Sequence, residues 1–384
     1  MKLVKRLDNL GFFYQIILNG FARLLLFAVS LRNAVETDSE ITDFLLHINY
    51  ALSLTIVFSL GANYLAATVT DEKHVHNIQT ALAGQAKVLS ALLLLASISL
   101  IIMHQNQLIL ISIILSLSLV EVLNAKLLVG NKWYRAIIYY TPQVLMYAAL
   151  FFSPDKFRYV VLVLGICISV ATLWRGTWTI KSSTISFKLS DRLKNILLDF
   201  PSAGFLAFML YMSAKLESTE STALLISFVT FSGAISFFFG NFNTYYGRRM
   251  ITKYSASNKK HVFWLMTIVA VFIASCIILP FVMLICVALE PAIFEVFSKR
   301  LIIMALFTAV FISLNIFSTL TLMHIGARDY MFFSSIVPYP IAFIFMLTGH
   351  SGVFAYLIYV SLRFALTLLS IVVHDQKRKL KGNA

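Results

Sequence analysis

Charge is what this sequence has least of. Only 12% of its 384 residues are Asp, Glu, Lys or Arg, about half the share in a soluble domain. So little charge on so long a chain could not keep a soluble surface hydrated. Acids are scarcer than bases, 17 against 31. Cysteine occurs three times, as Cys167, Cys276 and Cys286. Each lies in an apolar run without metal-ligand spacing, so disulfide and zinc chemistry are not indicated. A phosphate-cradling glycine loop, a nucleophile elbow and a His-x-x-x-His metal pair are all lacking. The eight histidines are scattered. No catalytic residue, metal or cofactor is expected, and the chain does not read as an enzyme. Long loops are missing too: the longest, at about 181–194, leaves no room for a soluble catalytic domain.

Apolar residues make up 59% of the chain, and mean hydropathy is +0.85. They come in blocks of about 20, the length a helix needs to cross a hydrocarbon core of about 30 Å. The strands of a membrane β-barrel alternate apolar and polar residues and are about half as long, so the pattern predicts helices. Twelve spans are expected, at 10–31, 43–68, 80–103, 108–129, 136–153, 159–180, 195–214, 221–245, 262–288, 300–323, 331–348 and 352–373. The first contains Gln15, Asn19 and Arg23 and lacks a small-residue cleavage site, so it reads as a span rather than a signal peptide. Pro280 predicts tilt or a kink in the ninth. Thr141-Pro142 and Pro338-Tyr339-Pro340 mark further irregularities. Gly349, His350 and Ser351 alone separate the last two spans, which predicts a tight helical hairpin.

The basic residues orient the chain. With the N-terminus in the cytoplasm, Arg32, Lys156, Arg158, Lys215, Lys299 and Arg300 face outward, and Arg23, Lys87 and Arg363 lie inside spans. The remainder of the 31 fall on the cytoplasmic side. Both termini are therefore expected inside, and the net charge of +14 reads as a topology signal with affinity for anionic membrane lipids rather than nucleic acid. The fold class is all-α and polytopic. The domains are 1–180 with six spans, a cytoplasmic linker at 181–194, 195–373 with six more, and a basic tail at 374–384. The halves match weakly: an offset of 179 places Asp38 on Glu217, Thr42 on Ser221 and Gly61 on Gly240. Internal repeats with binding at their interface are a common transporter plan.

Ionisable residues deep in a membrane are costly and usually meet a partner or a water-filled cavity. Gln15, Asn19 and Arg23 are spaced by four, so they share one helix face. That polar stripe is either a cavity wall whose guanidinium takes a phosphate bidentately, or a packing site for an interhelical acid or carbonyl. Arg363, flanked by Tyr359 and Thr367 one turn away, poses the same choice. Glu121 is the acid clearly inside a span. It either couples protons, as a lone buried carboxylate can, or pairs with Lys87 or Lys126. Weaker candidates are Asn49, Ser53, Asn63, Tyr64, Asn241, Asn243, Asn315 and Thr319, for which interhelical bonding is the ordinary explanation. Asp199, followed by Pro201, suits a helix start.

With these features assembled, the chain resembles the Wzx-type polysaccharide or O-antigen flippases of the multidrug/oligosaccharidyl-lipid/polysaccharide exporter superfamily. The acidic loop Glu36-Thr37-Asp38-Ser39-Glu40 and the second-span ending Phe58-Ser59-Leu60-Gly61-Ala62 are similar to the family's acidic turn and Leu-Gly-containing second helix. Arg23 is similar to the cation such flippases present in the first span. The resemblance implies two six-helix lobes around a central cavity in the bacterial inner membrane. The cargo would be an undecaprenyl-diphosphate-linked oligosaccharide for O-antigen or capsule synthesis, with a glycan polymerase and chain-length proteins as partners. Arg23 would bind phosphate, Lys87 or Arg363 would add positive potential, and Glu121 would couple protons. A multidrug exporter of the same superfamily predicts an acidic cavity instead, whereas the deep charges here are mostly basic. A membrane glycan polymerase would carry a large external loop, which is absent.

Overall fold

The computed structural model describes residues 2–60, 62, 72–103, 105–129, 135–174, 189–256, 260–289, 291, 293–325, 327, 329–349 and 351–382. Twelve long helices account for most of them: α1 (Lys2–Glu36), α2 (Ser39–Phe58), α3 (Glu72–Met103), α4 (Asn106–Val129), α5 (Arg135–Phe152), α6 (Phe157–Trp174), α7 (Leu189–Leu216), α8 (Thr219–Ala256), α9 (Lys260–Leu289), α10 (Lys299–His324), α11 (Asp329–Leu347) and α12 (Gly352–Gly382). The described residues contain no β-strand. Helices satisfy every backbone N–H and C=O within their own segment, which hydrocarbon demands. Ten are long and apolar enough to span a membrane, while α5 and α7 contribute the shorter apolar stretches Ile137–Phe152 and Gly204–Leu216. The protein is a multi-pass helical membrane protein.

Helix ends differ from the expected spans where side chains extend them. α1 runs to Glu36, five residues beyond expectation, because Arg32 Nε bonds the Glu36 carboxylate one turn on at 3.0 Å. α2 begins at Ser39 because the Asp38 carboxylate accepts the N–H of Glu40 at 2.8 Å and of Ile41 at 3.3 Å. The expected ends of the second and sixth spans, and the linker at 181–188, lie outside the described residues. Pro142 and Pro280 sit within continuous helices, whereas α11 is broken into Asp329–Ile336 and Pro338–Leu347. The expected tight hairpin between the last two spans is present, with Gly349 at φ +83°.

The chain divides into two compact units. Unit 1 comprises residues 1–25 and 43–207, and unit 2 comprises residues 26–42 and 208–384. The boundaries thus fall inside α1, α2 and α7. In unit 1, Ile78, Leu82, Ala86, Leu89 and Leu93 recur at helical spacing on α3 and meet Leu115, Leu119 and Val122 of α4. α6 comes close to α3 at Gly165: a Cβ built there would lie 2.8 Å from Ser97 Oγ and 3.3 Å from a Leu93 methyl. The end of α2 is held by Gln85, whose Nε2 donates to the Ser59 carbonyl at 2.6 Å. The next residue, Leu60, takes a left-handed backbone with φ 49°, which stops the helix.

In unit 2, α10 packs against α8 and α12 around Phe239, Val310, Leu314, Phe317 and Phe364. The C-terminal part of α1 joins α8 here. Phe27 and Phe231 have ring centroids 5.2 Å apart, and Ser227 Oγ donates to the Ser30 carbonyl at 2.5 Å. At the other end of the unit, the Tyr254 hydroxyl of α8 donates to Asp375 of α12 at 2.8 Å. Lys260 of α9 pairs with the same carboxylate at 2.8 Å and lies over the Tyr254 ring at 5.1 Å. Three helices are tied at one carboxylate.

Within unit 2, the α1–α2 and α7–α8 turns are built alike, at a register one residue from the sequence match. Asn33 Nδ2 donates to Thr42 Oγ1 at 2.8 Å across the α1–α2 turn. Ser213 and Thr222 share a hydroxyl bond of 3.2 Å across the α7–α8 turn. The Thr42 and Thr222 amides bond the carbonyls of Asp38 and Ser218, both at 3.0 Å. The Thr37 and Glu217 amides bond those of Asn33 and Ser213, both at 2.8 Å. Asp38 and Ser218 each cap the following helix through a side-chain oxygen. Every pair is offset by 180 residues. The offset of 179 aligned acid with acid, but the turn is built on the capping position, so Asp38 corresponds to Ser218 and Thr42 to Thr222.

Candidate functional site

Asn19 and Arg23 share one face of the unbroken α1, as their spacing requires. The Gln15 side chain lies outside those described. Asn19 is half-buried and has a partner. Arg23 is exposed and makes no hydrogen bond or ion pair among the described residues. It lies 13 residues, about 20 Å of helix, before the end of α1 at Glu36.

Two α5 tyrosines lie in the field of this guanidinium, Tyr139 and Tyr147. Tyr147 is buried, Tyr139 half-buried. Glu121 of α4 also acts on the Tyr139 hydroxyl, with opposite sign to Arg23. In unit 1, therefore, Arg23 of α1 and Glu121 of α4 act electrostatically on the same α5 tyrosine, and Arg23 on a second. Glu121 is 9% exposed. It has a partner, as do the half-buried Lys87 and Lys126.

Arg363 belongs to unit 2. It is half-buried on α12, and its Nε is buried with no hydrogen bond among the described residues. Thr367 bonds the Arg363 backbone carbonyl at 2.8 Å and so leaves the guanidinium untouched. Tyr359, the other expected neighbour, and Tyr339 of α11 both feel the Arg363 charge. Their rings meet edge-on, with centroids 5.6 Å apart.

Other polar candidates serve packing. Asn49 donates to the Leu45 carbonyl of its own helix at 2.8 Å, and Ser53 is buried. Asn315 donates across to the Val360 carbonyl at 2.9 Å, but its Oδ1 is buried without a partner among the described residues. Asn63 and Tyr64 lie outside the described residues, as do the side chains of Asp199, Asn241 and Asn243. Sequence reasoning passed over Tyr139, Tyr147 and Tyr339, since a tyrosine in an apolar run looks like core. The available signal was local: Tyr139 is doubled by Tyr140, and Tyr339 stands between two prolines. His47 was also passed over; its Nδ1 is buried without a partner, and Asp43 lies one turn away within its field.

No family model matches the sequence, and no curated protein matches it. Solved structures do. Against a MATE transporter crystallised in complex with MaL6 the TM-score is 0.53 at 12% identity, over 97% of this chain and 98% of that one. Against the inward-facing conformation of a multidrug resistance MATE family transporter of the MOP superfamily it is 0.54 at 13% identity, over 96% of each chain. Against an outward-facing conformation of such a transporter it is 0.51 at 14% identity, over 97% of this chain and 96% of that one. At this identity the likeness is one of architecture: over nearly its whole length, the chain has a MATE-like all-helical transporter fold.

Proposed function

We propose that this protein is a flippase that moves an undecaprenyl-diphosphate-linked oligosaccharide across the bacterial inner membrane, with both termini in the cytoplasm. The observation that carries the reading is Arg23, an exposed guanidinium on a membrane span that makes no hydrogen bond or ion pair among the described residues. Facing hydrocarbon, such a charge would cost about 2.5–3.5 kcal/mol or more. Facing a watered path it costs little and offers five donors in a fork that fits phosphate. The head group of a lipid-linked glycan cannot cross hydrocarbon unaided, because its charge and hydroxyls would lose their hydration. Arg23 and Asn19, with Gln15 on the same face, replace part of that hydration, and Tyr139 adds a hydroxyl. Lys87 adds positive potential. Glu121, buried and acting on the same tyrosine as Arg23, couples proton movement to the cargo. The MATE-like fold supports a transporter working by alternating access.

A second reading is a multidrug or organic-cation antiporter. It is favoured by the names of the solved structures that share the fold, and by Glu121, which could hold a cation. Reconstitution separates the two. In proteoliposomes carrying a proton gradient, the flippase reading expects translocation of a fluorescent polyprenyl-diphosphate-linked saccharide and no gradient-driven uptake of ethidium. The reverse result would establish the antiporter.

A further inference from the structure

Unit 2 holds its own cationic cluster, on α11 and α12. Its setting differs from that of Arg23 because the backbone contributes. Pro338 and Pro340 supply no N–H, so the carbonyls of Ser334 and Ile336, four residues before each, lose their helical donors. α11 breaks there, at Val337. Tyr339 stands between the two prolines. Its ring meets Tyr359 edge-on and packs on Phe208 with centroids 5.9 Å apart. Arg363 lies one turn beyond Tyr359, and its buried Nε has no acceptor among the described residues. At the same stretch of α12, Asn315 spends its Nδ2 on the Val360 carbonyl and leaves Oδ1 buried without a donor among the described residues. Asn315 is 5% exposed.

A buried donor without an acceptor and a buried acceptor without a donor each carry a desolvation cost, and here Asn315 of α10 bonds α12 at Val360, within one turn of Arg363. Broken helices in a membrane are tolerated where they line a watered or ligand-filled space. The chemistry of the vacant valences selects the ligand. Phosphate is acceptor-only: it would satisfy Arg363 but repel Asn315 Oδ1 and the two freed carbonyls. Sugar hydroxyls both donate and accept, so the several hydroxyls of one sugar can between them meet donor and acceptors alike. The apolar C–H face of a pyranose also packs on an aromatic ring.

We propose that Arg363, Asn315, Tyr339 and the broken segment of α11 form a glycan subsite that reads sugar hydroxyls. It is distinct in chemistry from the phosphate-binding role of Arg23. This rests on the flippase reading, because it takes the cargo to carry a glycan.

The test uses the full chain in nanodiscs and two probes. One is the lipid-linked saccharide extracted from source cells lacking the protein; the other is the same lipid with the glycan removed, leaving polyprenyl diphosphate. The readout is the ratio of their affinities. Wild type is expected to prefer the glycosylated lipid. Tyr339→Ala and Arg363→Gln are each expected to reduce that preference about tenfold, the loss of one stacking or charge-assisted contact. Tyr339→Phe, which keeps the ring, should retain it. Arg23→Ala should weaken both probes and keep the ratio. If wild type binds both lipids without preference, or if Tyr339→Ala and Arg363→Gln keep the wild-type ratio, the glycan subsite is overturned and the flippase reading stands. If wild type binds neither lipid, the flippase reading falls and the subsite with it.

Discussion

Asn33 and Thr42 are joined by a 2.8 Å hydrogen bond across the turn between α1 and α2, and both are buried. The bond is the counterpart of Ser213 to Thr222 one repeat later. It ties the C-terminal end of α1 to the start of α2.

Without Asn33 the Thr42 hydroxyl keeps its 2.8 Å bond to the Asp38 carbonyl, so the loss is that of one net hydrogen bond. Asn33→Ala is expected to destabilise the protein by about 0.5–1.5 kcal/mol. Ser213→Ala should cost a similar amount, because Thr222 likewise keeps its 3.2 Å bond to the Ser218 carbonyl. Thermal unfolding of the detergent-solubilised variants should show comparable shifts. Clearly unequal shifts would mean the two turns are not built to the same scheme.

The close approach of α6 to α3 can be tested by filling it. Gly165→Ala places a Cβ 2.8 Å from Ser97 Oγ, and overpacking of this kind costs about 1–3 kcal/mol. Ser97→Ala removes the obstructing oxygen, so the double variant should recover part of the loss. The two substitutions should therefore be non-additive in a double-mutant cycle. Simple additivity would show that the helices separate freely at Gly165.

At the far end of unit 2, burial and then the bond to Asp375 push the Tyr254 hydroxyl above the usual tyrosine range. A group whose pKa is raised on folding stabilises the fold fully below its unfolded value, about 10 for tyrosine, and loses that contribution as pH rises beyond it. The stability advantage of wild type over Tyr254→Phe should thus be largest near neutrality and shrink above about pH 10. Melting temperatures of both proteins from pH 7 to 11 provide the check. A constant difference across that range would remove the tyrosine–carboxylate bond from the account.

Glu121→Gln keeps the shape of the side chain and removes its charge. The flippase reading expects the variant to bind polyprenyl diphosphate but to lose the stimulation of transport by a proton gradient. Gradient-driven transport at the wild-type rate would assign coupling elsewhere. His47 with Asp43 in the same unit would be the next pair to substitute.

The spans were legible because hydrocarbon leaves the backbone one solution, and a block of about 20 apolar residues states it directly. Helix ends were less so. α1 outruns its apolar block because Arg32 and Glu36 pair along the helix, and α2 starts early because Asp38 caps it. The repeat was visible but misregistered by one residue, since charge similarity pointed to Glu217 while the structural equivalent of Asp38 is the cap Ser218. Arg23, Glu121 and Arg363 stood out because charge is rare in the spans. Their tyrosine neighbours did not: Tyr139, Tyr147 and Tyr339 lie far from the arginines in sequence, and nothing in an apolar run marks which ring will face a cation.

The most direct test of the central claim is the affinity of purified Arg23→Ala for polyprenyl diphosphate, measured beside wild type and Arg23→Lys in nanodiscs. Loss of a charge-assisted bidentate contact is expected to weaken binding about 10- to 100-fold in Arg23→Ala. Arg23→Lys should fall between, because a lysine keeps the charge but loses the fork. Wild-type affinity in a folded Arg23→Ala protein would contradict the assignment of Arg23 as the phosphate-binding residue.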